Sequence, residues 1–158
     1  MAKVRFTLTG PAAGISIAVA TAVTCLQATA PTNQDIYLDE VVFGFVGLTN
    51  TDEPLIAAIY SQTSAGTTPA GSCNAFKVSA SNVTVQTTGK YGPYATDPMT
   101  SGTNNLLWNS SCHPQWNGGI EFPLTRSIYC GGGTKLALVV TKLNGANNTV
   151  FPTLTFEE

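Results

Sequence analysis

Apolar and polar residues alternate over much of this chain with the period of two that is typical of β-strands. The stretch around which the rest is organised is 35–60, where the apolar runs 36–46 and 55–60 flank a polar turn. The two runs are rich in Val, Ile, Phe and Tyr, which favour strands, whereas Asn, Asp and Pro fill the gap and favour turns. The pattern therefore predicts two antiparallel strands joined by a loop.

The N-terminal part of the chain predicts two more strands. Residues 3–9 place Val4, Phe6 and Leu8 on one face and polar side chains on the other, so one side of this strand is expected to be buried. Residues 15–27 are rich in Val, Ile, Thr and Ala. Because Val and Thr are stiff at χ1 and no helical stripe is present, this run favours one long strand, with a helix as the alternative.

The remaining chain predicts six strands and two long surface loops. The run 135–142 is almost wholly apolar, which places it at the centre of a sheet. About ten strands and no helix predict an all-β fold, a two-sheet antiparallel sandwich of jelly-roll type, with an immunoglobulin-type sandwich as the nearest alternative. The six strands are expected at 73–78, 83–87, 106–108, 119–122, 135–142 and 149–156, and the loops at 61–71 and 89–105.

Length and charge narrow the classes of protein that fit. The 158 residues suit one domain, which we divide into an N-terminal strand or arm at 1–12 and a single sandwich at 13–158. Only 10% of the residues are charged, against about 25% in a typical domain, and this favours a protein that packs against copies or partners. A net charge of −2 with scattered Lys and Arg argues against a nucleic-acid partner.

Residues 1–30 imitate a secretory signal peptide, because a basic start precedes an apolar stretch and the sequence Ala28-Thr29-Ala30. Thr7, Thr9, Gly10 and Pro11 interrupt the apolar stretch, which argues against that interpretation. No run approaches the ~20 apolar residues of a membrane-spanning helix. We therefore expect a soluble protein without a membrane partner.

The four cysteines are Cys25, Cys73, Cys112 and Cys130. They include no CxxC pair, so a zinc site is not expected. Two disulfides in any of three pairings are possible, and Cys112 with Cys130, which flank one predicted strand, is the pair that we single out. In a reducing cytoplasm all four are expected to be buried thiols.

Candidate catalytic groups are few. His113 follows Cys112 directly, but neighbours on an extended segment point to opposite faces and cannot easily share a proton. The same argument separates the carboxylates of Asp39-Glu40 and Glu157-Glu158, and Asp52-Glu53 lies in a turn. We therefore expect no enzyme, no metal and no cofactor. Five aromatic residues suit either a sugar-binding platform or core and subunit contacts: Tyr91, Tyr94, Trp108, Trp116 and Tyr129.

Several segments follow one another along 35–158 in a characteristic order. They are Leu38-Asp39-Glu40-Val41 leading into Phe43-Gly44-Phe45, then 60–67, His113-Pro114-Gln115, Phe122-Pro123-Leu124, 136–141 and Phe156-Glu157-Glu158. In this order the chain resembles the jelly-roll capsid decoration (cement) proteins of tailed bacteriophages and prophages.

The resemblance implies a structural virion protein on the surface of the phage capsid, made in the host bacterial cytoplasm, that binds the major capsid protein and stabilises the assembled head as a homotrimer. It implies no catalysis. Residues 2–9 and the two long loops are expected to contact the capsid. The alternative is a carbohydrate- or receptor-binding sandwich, lectin-like or at a tail-fibre tip. The expected capsid or subunit contacts are Lys3, Arg5, Phe6, Tyr91, Tyr94, His113 and Trp116.

Overall fold

Two antiparallel sheets pack face to face as a sandwich in this computed structural model, which describes residues 3–18, 21–46, 54–78, 82–113, 118–121, 124–144 and 147–158. The all-β, two-sheet prediction is confirmed, and the finer jelly-roll assignment stays a prediction. The strands are β1 (Arg5–Thr9), β2 (Ile15–Ile17), β3 (Ala22–Thr29), β4 (Ile36–Val46), β5 (Leu55–Gln62), β6 (Thr67–Cys73), β7 (Ala75–Lys77), β8 (Thr88–Thr96), β9 (Asn104–Cys112), β10 (Gly118–Glu121), β11 (Ile128–Cys130), β12 (Lys135–Lys142) and β13 (Asn148–Glu157).

The two sheets differ in strand order. The seven-stranded sheet runs β10-β4-β13-β1-β7, with β11 also paired to β4 and β2 also paired to β13. The six-stranded sheet runs β6-β8-β3-β12-β5-β9. β12 lies between β3 and β5, so the prediction that the apolar run 135–142 is central is confirmed. A short helix, α1 (Pro98–Ser101), and a 3-10 turn at Leu124–Arg126 complete the described elements.

β1 is an internal strand of the seven-stranded sheet. Val4, Phe6 and Leu8 are completely buried, and the Phe6 ring stacks on that of Phe156 with centroids 5.5 Å apart. The alternation predicted for 3–9 is confirmed. The segment expected as an arm lies between β13 and β7, because its apolar face completes the core, and Phe6 is a core residue rather than the capsid contact that we predicted.

The hairpin predicted over 35–60 is wrong, although both of its strands form. β4 pairs with β13 in one sheet, whereas β5 pairs with β12 and β9 in the other. The chain therefore crosses from sheet to sheet between them, and the predicted turn at 48–54 lies largely outside the described residues. Each strand buries one apolar face against the other sheet, which a hairpin within one sheet does not provide.

The run 15–27 also divides between the two sheets. β2 pairs with β13, and β3 pairs with β8 and β12. The helix alternative is wrong, and so is the single long strand. Thr24–Ala28 are all buried, because β3 is central, α1 packs on it, and Ser64 and Asp97 hydrogen-bond to its side chains.

The two predicted long loops are mostly strand. β5 continues to Gln62 and β6 begins at Thr67, while β8, α1 and the start of β9 occupy most of 89–105. The strand predicted at 83–87 is instead irregular. Backbone pairing with β3 and β8 outweighs the turn-rich composition here. A Cβ at Gly71 of β6 would clash with the Tyr91 hydroxyl, so a larger residue there would displace the Tyr91 ring.

Candidate functional site

A row of side chains crosses four strands on the outer face of the seven-stranded sheet. Tyr129 of β11 is opposite Tyr37 of β4, Tyr37 is opposite Glu157 of β13, and Glu157 is opposite Arg5 of β1. Their neighbours along β1, β4 and β13 point into the core, and side chains alternate between the faces of a sheet. The row therefore places two aromatic rings beside a carboxylate and a guanidinium on the solvent side.

The two tyrosines form a tilted pair. Their ring centroids are 5.7 Å apart with an interplanar angle of 57°, and the residues are 40% (Tyr37) and 56% (Tyr129) exposed. The Lys3 ammonium lies 6.0 Å from the Tyr37 centroid and forms an ion pair with Glu157. The hydrogen bond with Glu157 and the attraction of its charge raise the pKa of Lys3. Partial desolvation is the main cause that raises the pKa of Tyr129, and the negative charge of Asp35 raises it further.

A β-bulge in β4 brings further charge to this surface. Thr155 is opposite Glu40 and the next residue, Phe156, is opposite Leu38, so Asp39 is the extra residue of the bulge. The neighbouring acids were expected on opposite faces, and this expectation is wrong. Arg5 reaches both, with Nε 3.9 Å from the Asp39 carboxylate and Nη2 3.8 Å from that of Glu40.

These groups surround a cleft of about 200 Å³ lined by Lys3, Tyr37, Asp39, Ser127 and Glu157. The Ser127 hydroxyl donates to Asp39 Oδ1 over 3.0 Å. The cleft thus combines carboxylate acceptors, an ammonium donor and the edge of an aromatic pair, which suits a small polar ligand or a polar side chain of a partner. We refer to these five residues, together with Arg5, Glu40 and Tyr129, as the Tyr37–Tyr129 patch.

A larger cleft of about 660 Å³ lies between β6, β7, β8 and residues 84–87. Two lysines, Lys77 and Lys90, and no acidic side chain are among the described residues that line it. Its wall is held by Glu158, whose buried carboxylate accepts from the backbone of Gln86 and Thr87 over 3.0–3.2 Å and from the Thr87 hydroxyl over 2.8 Å. Glu158 therefore has a structural role, and the cleft is a weaker candidate because none of its described lining residues is aromatic.

The predicted contact residues do not form one surface. Lys3 and Arg5 lie in the Tyr37–Tyr129 patch. Tyr91 and Tyr94 of β8 are half-buried; Tyr91 packs against the core. His113 follows β9 and is half-buried, and Trp116 lies outside the described residues.

All four cysteines are free thiols, so the predicted disulfide between Cys112 and Cys130 is not formed in this structure. Cys112 Sγ donates to the Leu55 carbonyl over 3.7 Å, and Cys130 Sγ lies 3.2 Å from the Thr134 hydroxyl. Desolvation raises the pKa of Cys73 to about 12 and that of Cys112 to about 11. Both thiols are therefore protonated at neutral pH and are poor nucleophiles.

Within the described ranges, no group of three or more His, Cys, Asp or Glu residues is placed to hold a metal ion. The same ranges contain no helix with the length and apolar character needed to cross a membrane. The acidic pair Asp52-Glu53 lies outside them. No known protein family, curated protein or solved structure matches the chain.

The sequence pointed to Lys3, Arg5 and Tyr129 but not to the rest of the Tyr37–Tyr129 patch. Tyr37 and Glu157 each lie between buried residues of a strand, so their alternation was a usable signal for an outward position. The outward position of Asp39 depends on the bulge in β4, which we did not predict. Ser127 gave no comparable signal, because it lies just before β11, a strand that we did not predict.

Proposed function

We propose that this chain is a structural virion protein of the capsid decoration class, with a jelly-roll sandwich that binds the outside of an assembled phage head as a homotrimer and has no catalytic activity. Its partner is the major capsid protein of the phage or prophage that encodes it. Binding only to the assembled shell stabilises the shell by mass action. The low charge of the chain, at 10% of residues, supports a protein whose surface is covered by partners.

The observation that carries this proposal is the apolar surface at two sheet edges. β7 and β9 are each the last strand in the described order of a different sheet. Phe76 of β7 and the adjoining Val78 are 60% and 57% exposed, and Leu106 and Leu107 of β9 are 50% and 45% exposed. Exposed apolar groups on edge strands are hazards for a monomer and are typical of a surface that another chain covers.

The position of the two edges favours a ring. β7 lies beside β6 and β8 along the larger cleft, whereas β9 is at the other end of the six-stranded sheet. Two different apolar surfaces on opposite sides of a molecule pair head to tail, and such heterologous contacts generate closed rings when the rotation allows. A trimer is the ring that the resemblance to decoration proteins implies. The head-to-tail contact would bury Leu106 and Leu107 of each copy.

Native mass spectrometry of the purified chain tests the oligomer. We expect a trimer for the natural chain and monomers for a Leu106→Ser, Leu107→Ser double variant. The matched control is Leu143→Ser, which removes a leucine of similar exposure, 52%, away from both edges. A monomeric natural chain, or a double variant that remains trimeric, would contradict the proposed contact.

Binding to the shell is tested separately by co-sedimentation with empty heads that contain only the major capsid protein. We expect saturable binding to assembled heads and no binding to unassembled capsid subunits. A chain that fails to sediment with the heads would refute the decoration function, whatever its oligomeric state.

A further inference from the structure

We propose that the Tyr37–Tyr129 patch is a carbohydrate-binding site for a neutral sugar, because two exposed, tilted aromatic rings stand beside carboxylate, ammonium and hydroxyl groups around a small cleft. This function goes beyond shell decoration and does not depend on it. It also differs from the platform considered from the sequence, which shares only Tyr129 with this patch.

The aromatic pair supplies the stacking surface. The apolar C–H face of a sugar ring packs on an aromatic face, and Tyr is suited to such contacts because its hydroxyl remains hydrated. Tyr129 is the more exposed ring, at 56%, and belongs to a short strand at the side of β4. With an interplanar angle of 57°, Tyr37 and Tyr129 form a corner in which one ring stacks on the sugar and the other borders it.

The polar groups suit sugar hydroxyls. Asp39 and Glu157 present carboxylate oxygens that accept hydrogen bonds and Lys3 donates, while the Ser127 hydroxyl, whose proton is donated to Asp39, can accept. The cleft of about 200 Å³ is smaller than the ~300–1,000 Å³ of sites for drug-sized ligands, so it suits a single sugar ring. A second ring would extend over Tyr129.

The charge balance favours a neutral ligand. Four carboxylates, those of Asp35, Asp39, Glu40 and Glu157, lie around the two tyrosines with two cations, Lys3 and Arg5, and ion pairs connect the cations to the last three carboxylates. An anionic sugar would be repelled by the excess carboxylate, and a cationic one would have to displace existing pairs. A neutral sugar needs neither change.

The groups are held by paired strands before any ligand binds. Tyr37 and Asp39 lie in β4, Tyr129 in β11 and Glu157 in β13, and β4 pairs with both of the others. The hydrogen bond from Ser127 fixes the carboxylate of Asp39. A site that is already ordered loses less conformational entropy on binding, which matters for ligands as weakly held as single sugars.

The test uses the full chain on an array of neutral oligosaccharides, followed by calorimetry with the best oligosaccharide in solution. Calorimetry reports the affinity of each site, so the avidity of an oligomer on the array does not affect it. We expect saturable binding of at least one neutral glycan, and we expect Tyr129→Ala to weaken it about tenfold or more. Asp39→Asn should also weaken it, because the amide keeps only one acceptor oxygen.

The matched control is Phe151→Ala. Phe151 is 38% exposed and lies opposite Gly44 on the outward side of β13, in the same sheet as the patch but six residues before Glu157. This variant should bind the glycan as the natural chain does, and thermal melting should show that all three variants are folded.

Three results would overturn the proposal: no neutral glycan bound by the natural chain, equal losses for Tyr129→Ala and Phe151→Ala, or hydrolysis of the bound glycan. If the natural chain binds no glycan and Tyr129→Ala abolishes binding to phage heads, the patch is a contact with the shell instead. The Leu106→Ser, Leu107→Ser variant should bind glycan unchanged, so failure of the proposed oligomer and failure of this site are separable.

Discussion

Replacement of Phe6 by Ala tests whether the N-terminal segment belongs to the core. Phe6 is completely buried, and its ring stacks on that of Phe156, with an interplanar angle of 17° and centroids 5.5 Å apart. It lies opposite Phe156 on one side and Lys77 on the other, in strands that both pair with β1. Because these strands are hydrogen-bonded at fixed spacing, they cannot move in to fill the cavity that the truncation leaves.

The cost is expected to be large. Truncation of a buried phenylalanine to alanine lowers the free energy of unfolding by about 3–5 kcal/mol. Because Phe6 also loses its stacking contact with Phe156, we expect a value in the upper part of this range. For a domain of this size each kcal/mol lowers the melting temperature by about 2–4 °C, so a cost of about 4–5 kcal/mol predicts a decrease of about 8–20 °C. Thr7→Ala, on the outward side of the same strand, should cost less than about 1 kcal/mol.

Urea unfolding followed by circular dichroism, at one fixed protein concentration, measures both variants. The fixed concentration matters because oligomerisation contributes to apparent stability. If Phe6→Ala costs less than about 1 kcal/mol and instead abolishes binding to phage heads, residues 3–9 act as the arm that the sequence predicted, and the internal position of β1 is refuted.

Three further predictions concern buried polar groups and thiols. Glu158→Gln should lower the free energy of unfolding in urea by about 1–3 kcal/mol, because the buried Glu158 carboxylate accepts several hydrogen bonds. Glu157→Gln should lower it by less than about 1 kcal/mol. Equal losses for the two variants would contradict this prediction. Unfolding without reductant in iodoacetamide should label all four cysteines by intact mass, and only two labels would reveal a disulfide. The pKa of Cys73 is raised to about 12 and that of Cys112 to about 11, so the unfolded chain binds fewer protons above pH ~9. The stability that these thiols contribute should be complete below that pH and decrease as the pH rises toward 11, less so in a Cys73→Ala, Cys112→Ala variant.

The sequence predicted well the strands that have one apolar face and the strand that is apolar on both faces. β1 alternates strictly, and β12 is apolar over residues 136–140, so burial on one or both sides could be inferred from the pattern alone. The core of the sandwich was therefore largely predictable. The assignment of strands to sheets was not, because β4 and β5, or β2 and β3, have the same local pattern whether they pair with each other or face each other across the core.

Local composition gave the wrong prediction for β6 and β8, which are strands because they pair with neighbouring strands. β6 and β8 contain Gly, Pro and Thr in proportions that favour loops, yet β8 pairs with both β6 and β3. β6 is the last described strand on its side of the sheet and tolerates Pro69, since an edge strand has one side without ladder partners. Such strands depend on their neighbours for stability, and single-sequence propensity does not contain that information.

The bulge in β4 shows where a usable signal was overlooked. The buried apolar residues of this strand are Ile36 and Leu38 and then Val41, Phe43 and Phe45, so the inward phase changes from even to odd positions across Asp39-Glu40. An alternation that slips by one residue at two consecutive acids can keep both apolar sets inside only if one extra residue is inserted there. That insertion turns Asp39 and Glu40 toward the same guanidinium and places Asp39 beside Tyr37. The phase slip therefore links the core of the sandwich to the composition of the Tyr37–Tyr129 patch: the packing of Val41 and Phe43 requires the bulge that gives the patch its second lining carboxylate.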